Sequence, residues 1–155
     1  MTVQTSYAEN MSAAYEGQLA DLNNKYSDIV SKRVETAAGI APGRVVSPGT
    51  ADDQVVIGGD ATGIGVTIRD LSKRGAVSTN ELTYDQYEVV GVMKKGYLYV
   101  NIPTASAMGT GLFYNDTTGV IDAGTASTGE TQLTGCTLEE TTTAENTIAK
   151  IRLDL

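Results

Sequence analysis

The sequence predicts an all-β fold: a small β-barrel or sandwich-like domain with an extended N-terminal arm. Seventeen glycines and a heavy load of Thr and Val, against one Phe and no Trp, favour short strands joined by many turns. From Arg44 onward, short alternating apolar segments are punctuated by turn chemistry, whereas the first forty residues follow another period. A chain of 155 residues fits one ordinary domain, which would bury roughly 70% of its unfolded surface and hold a core without staples. The expected organisation is an arm over residues 1–40 and a β-domain over residues 41–155.

In the arm, Met11, Tyr15, Leu19, Leu22 and Tyr26 recur at three- and four-residue steps, which on a helix would make one apolar stripe. Gly17 interrupts it, at about 1 kcal/mol relative to Ala. The segment is therefore either a weak helix or an extended arm whose apolar anchors dock on a neighbour. Fully extended, thirty-odd residues reach on the order of 100 Å, against a radius of gyration of roughly 15 Å for a domain of this size. The arm is long enough to leave its own domain.

In the β-domain, residues 43–47 stop at Ser47-Pro48-Gly49, and residues 54–57 stop at Gly58-Gly59-Asp60. Ile64, Val66 and Ile68 point one way and Gly65, Thr67 and Arg69 the other, which predicts a half-buried strand. Residues 86–94 and 97–102 both alternate and are separated only by Lys95-Gly96, which predicts a β-hairpin. In its second arm Leu98, Val100 and Ile102 would face the core, leaving Tyr97 and Tyr99 exposed for contact. Residues 110–147 read as loops joining short strands at 112–114, 120–121 and 133–138. Finally, Ala149, Ile151, Leu153 and Leu155 alternate with Lys150, Arg152 and Asp154, a terminal strand regular enough to be tied into the sheet.

The composition argues against most enzyme classes. Histidine is absent, which removes the Ser-His-Asp and Cys-His nucleophile systems and the HExxH helix. One cysteine, Cys136, allows no intramolecular disulfide, and without histidine the usual zinc sites cannot be assembled. It sits in an apolar piece and is expected to be a buried, inert thiol. Asp52-Asp53 and Glu139-Glu140 read as solvated turn residues rather than a calcium site. Gly63-Ile64-Gly65 has no following helix to offer a phosphate. No catalytic residue, metal or cofactor is therefore expected. A net charge of -8 repels a phosphate backbone, so direct nucleic-acid binding is not expected. No apolar run approaches bilayer length and the first residues lack the pattern of a secretory signal, so the chain is expected to be soluble, made in a cytoplasm, with no membrane partner. Lys73-Arg74 and Lys94-Lys95 read as a solvated rim, or alternatively as docking contacts for an acidic partner.

Five blocks in order carry a family resemblance: A-Y-E-G-Q-L-A-D at 14–21, P-G-R-V-V-S-P-G-T-A-D-D-Q-V at 42–55, G-I-G-V-T-I-R-D at 63–70, K-K-G-Y-L-Y-V-N-I at 94–102, and the closing I-A-K-I-R-L-D-L. Together they resemble the capsid cement, or decoration, proteins of tailed bacteriophages. That resemblance implies a compact β-domain, usually a homotrimer, on the outer capsid surface of the virion where several major capsid subunits meet, with the arm reaching across their boundaries. The partner would be the major capsid protein, bound through Tyr7, Met11, Tyr15, Leu19 and Leu22 of the arm with Tyr97 and Tyr99 of the barrel. A second reading is a host-surface or glycan-binding module of the virion, suggested by the Thr-rich loops of 110–147 and by Tyr97 and Tyr99. A third is enzymatic: Gly119-Val120-Ile121-Asp122 resembles the uridine-pocket motif of trimeric dUTPases, although the tyrosine of that motif is here Thr125 and the family's glycine-rich C-terminal lid has no counterpart.

Overall fold

The structure is a computed structural model that describes residues 14–20, 27–59, 65–73 and 82–155. Among these residues there is no helix. The strands are β1 (Asp28–Val34), β2 (Val45–Pro48), β3 (Gln54–Ile57), β4 (Gly65–Thr67), β5 (Val89–Ile102), β6 (Gly111–Asn115), β7 (Ile121–Ala123), β8 (Glu130–Leu138) and β9 (Thr147–Asp154). The all-β expectation holds.

The first five strands close on themselves in the order β1-β3-β2-β4-β5, with β5 returning to β1. A ring with an odd number of strands cannot be antiparallel throughout. One neighbouring pair must run parallel, and it is β1–β3, where Arg33 faces Gln54 and Val34 faces Val55. The other four pairings are antiparallel. Beyond the barrel the sheet continues from β5 through β9, β8 and β6 to β7, so β5 belongs to both halves of the molecule.

Two apolar cores follow from this arrangement. Val34, Val46, Val55, Val90 and Val92 form one, joined by Ile40, Leu82 and Tyr84 from the loops. Val45, Val66 and Met93 belong to the other, with Leu98, Val100, Ile102, Leu112, Tyr114, Ile121, Leu138, Ile151 and Leu153. Adjacent residues such as Val45 and Val46, or Val92 and Met93, thus enter different cores, as the period of a strand requires. Burying one such side chain stabilises by about 1.5–3 kcal/mol.

Several expectations are corrected. Residues 89–102 are one continuous strand rather than a hairpin, because Lys95 and Gly96 pair with Asp154 and Leu153 of β9 instead of turning back. The strand bends there, with Gly96 at φ +130°. β4 is buried on both faces rather than one, since Thr67 donates from its hydroxyl to the Ala41 carbonyl at 2.8 Å and so satisfies its polar group inside. Ala149, Ile151 and Leu153 are buried as predicted, but Leu155 lies past the strand end and is exposed. Tyr97 and Tyr99 are half-buried rather than exposed. Residues 28–34, which the sequence placed in the arm, form β1 and complete the barrel.

Candidate functional site

Residues 14–20 run extended along β5. The Gly17 N–H donates to the Tyr99 carbonyl at 2.8 Å, the Tyr99 N–H to the Gln18 carbonyl at 2.9 Å, and the Ala20 N–H to the Tyr97 carbonyl at 3.0 Å. Leu19 stands opposite Leu98 in an antiparallel bridge, half-buried against the second core. This segment is a clip that covers the β5 edge.

The clip is also locked from its other side. Arg69 donates its backbone N–H to the Gly17 carbonyl at 2.6 Å. The Arg44 guanidinium pairs with the Glu16 carboxylate at 2.9 Å. Burial pushes the Glu16 carboxyl above its ordinary 4.5, opposed by the charges of Arg44 and Arg69. Tyr15 remains 60% exposed, with the Arg69 guanidinium 5.1 Å over its ring. Four of the five blocks singled out in the sequence therefore converge: the clip, the Pro42–Arg44 corner, Arg69 at the end of its strand, and the Tyr97–Tyr99 edge.

Between clip and barrel lies a cleft of about 250 Å³ lined by Glu16, Ala41, Pro42, Arg44, Arg69, Leu82 and Thr83. It is smaller than the sites of roughly 300–1,000 Å³ that take drug-sized ligands. Sequence reasoning missed it, because its lining comes from four separate stretches, one of which, Leu82-Thr83, lies in none of the blocks. Of the arm residues, Tyr15 and Leu19 both lie in the clip, Tyr15 exposed and Leu19 half-buried against the core, and the backbones of Tyr97 and Tyr99 pair with it. Tyr7, Met11 and Leu22 lie outside the described residues.

Elsewhere the polar groups are engaged in holding loops. Asp122 accepts the N–H and hydroxyl of Thr104 at 3.1 and 2.8 Å. Asp53 pairs with Arg33 at 3.2 Å, and Lys32 donates to the Asp52 carbonyl. Glu139 accepts the Thr137 hydroxyl. Cys136 is buried, and that burial pushes its thiol above the ordinary range. Among the described residues no group of three acidic or sulfur side chains is placed to hold a metal, and no helix is long and apolar enough to cross a membrane.

Over residues 3–154 the sequence matches the structural cement protein family (E217 gp24/Pam3 gp6). The chain belongs to that family. Its role is that of a phage capsid cement protein. No curated protein matches it. Among solved structures, a chain from the capsid of Myoviridae phage XM1 shares the fold, with a TM-score of 0.74 and 16% identity over 99% of this chain and 98% of that one. The resemblance drawn from the sequence blocks is thereby upheld, and the match extends upstream of the clip into the residues that carry Tyr7 and Met11.

Proposed function

We propose that this cement protein seats on the outer face of the capsid as a homotrimer, and that it clamps adjacent major capsid subunits through the residues that precede the clip. The observation that carries this reading is the clip itself. It fixes residues 14–20 to β5, so the stretch bearing Tyr7 and Met11 starts from a defined point beside exposed Tyr15. Leu19 serves as an anchor on its own domain. Gripping a neighbour then falls to Tyr7, Met11 and Tyr15, with Leu22 following the clip, while Tyr97 and Tyr99 support it from below.

Apolar burial stabilises by about 25 cal/mol per Å² before association costs are deducted. One arm can therefore bind weakly. Three arms on one trimer make the later contacts intramolecular and raise avidity by roughly 10² to 10⁴. The charge of -8 suits a place outside the shell, away from the packaged genome, and the role needs neither catalysis nor nucleic acid.

The test is decoration of particles that lack the protein. Removing residues 2–13 leaves the clip in place and should cut occupancy by tenfold or more, with the β-sheet circular dichroism of the domain retained. Full occupancy by the truncated protein would refute the arm, and a monomeric mass in sedimentation would refute the trimer.

A further inference from the structure

We infer that the cleft between clip and barrel receives a carboxylate-bearing segment of the shell subunit, read by Arg69, whose guanidinium lies over the Tyr15 ring. The inference rests on the proposed capsid docking and adds the chemistry of the partner. In the cleft, Arg44 already has a carboxylate in Glu16. Arg69 differs. Its backbone N–H is committed to Gly17 and its guanidinium lies over the Tyr15 ring, yet among the described residues no carboxylate comes within ion-pair distance of it.

An arginine stacked on an aromatic face keeps its in-plane donors available, and that planar fork matches a carboxylate through two parallel hydrogen bonds. The contact with the Tyr15 ring also restrains the guanidinium, so less freedom is lost when the guest arrives. Pro42 and Leu82 supply apolar parts of the cleft wall beside the two arginines. Among the described lining residues two arginines stand against one glutamate, a local excess of positive charge on a chain of net charge -8. An acidic partner would be repelled by the average surface and admitted here, which is complementarity of the kind that sets register. The volume admits a side chain on a loop rather than a cofactor. Tyr and Arg are also the residue types that dominate binding energy at protein interfaces.

The test compares wild type, Arg69→Gln and Arg69→Lys for binding to particles that lack the protein, across ionic strength. Arg69→Gln should weaken binding about tenfold or more and flatten its salt dependence, and Arg69→Lys should fall between. Equal affinity and equal salt dependence for wild type and Arg69→Gln would overturn the inference. If wild type decorates while the 2–13 deletion does not, that failure is of the cleft alone; if wild type does not decorate, the docking reading fails and takes the cleft with it. Independently of any variant, a glutamate-rich peptide titrated into the wild-type protein should shift the amide resonances of Arg69 and Thr83 saturably, and absence of shifts there would overturn the assignment.

Discussion

At Gly17 the backbone sits at φ +78°, and a Cβ added there would overlap that of Pro42 while lying 3.0 Å from the Gly43 nitrogen and 3.1 Å from that of Arg69. Read along the sequence, this glycine only interrupts an apolar stripe. In space it is the residue that lets clip, corner and strand end approach one another, a contact between positions 17, 42 and 69 that no local pattern displays. Gly17→Ala should therefore release the clip at a cost of about 1–3 kcal/mol, the range for a non-glycine residue forced into a sparsely populated conformation. The site to watch is the Tyr99 amide, which donates to Gln18 across the clip. Its hydrogen exchange should accelerate by about tenfold for each 1.4 kcal/mol lost, while amides of the β5–β9 ladder hold their rates. Unchanged exchange at Tyr99 would mean that the clip does not depend on this approach.

Among the elements, β5 shows why some of the fold was legible and some was not. The segments 54–57 and 147–154 declare themselves, the first by its stop at Gly58-Gly59 and the second by its regular alternation, and both are strands. Lys95-Gly96 misleads because the glycine that would permit a two-residue turn equally permits a bend within a strand. What decides is the partner: Lys95 pairs with Asp154, backbone and side chain alike, the ammonium lying 2.9 Å from the carboxylate, and that strand is distant in sequence. β1 was hidden for a related reason. Its residues D-I-V-S-K-R-V are largely polar and only Val34 is fully buried, so its place in the barrel is set by pairing with β3 and β5 rather than by its own pattern. Likewise the candidate site was visible as a series of blocks, but not as a place. At Gly96, φ +130° and the nearby Ser27 Cβ and Met93 Sδ, 3.3 and 3.4 Å from an added Cβ, leave a branched side chain strained. Gly96→Val should lower stability by about 1–3 kcal/mol in urea unfolding. An unaltered midpoint would show that the bend between barrel and outer sheet is not imposed at this residue.

For the whole molecule, the closed barrel and the outer sheet share β5 and pack through Val45, Val66 and Met93, so the two halves should lose structure together. The acidity of the chain then shapes how stability depends on pH. Glu35, held down by the Thr50 hydroxyl, Asp70 and Glu130 by Ser72 and Ser127, and Glu88 and Asp154 by Lys73 and Lys95, all titrate below their ordinary values of 4.5 for Glu and 3.8 for Asp. Each contributes stability that is present above its ordinary value and is lost as the pH falls through its lowered one. These groups lie near the surface, where solvent and salt screen them, so each contribution is small and the acid limb should become shallower at high ionic strength. Glu16 acts with the opposite sign. Because burial raises its folded value above 4.5, the folded chain holds this proton more tightly than the unfolded one, and the associated stability is fully present below 4.5 and disappears as the pH rises through the raised value. Urea midpoints should therefore peak on the weakly acidic side of neutrality and fall below about 4.5. Glu16→Gln keeps an acceptor for Arg44 but cannot titrate, so it should flatten the decline on the neutral side and leave the acid limb in place. A neutral-side slope that survives Glu16→Gln would assign that slope to another group and free the clip of any pH dependence.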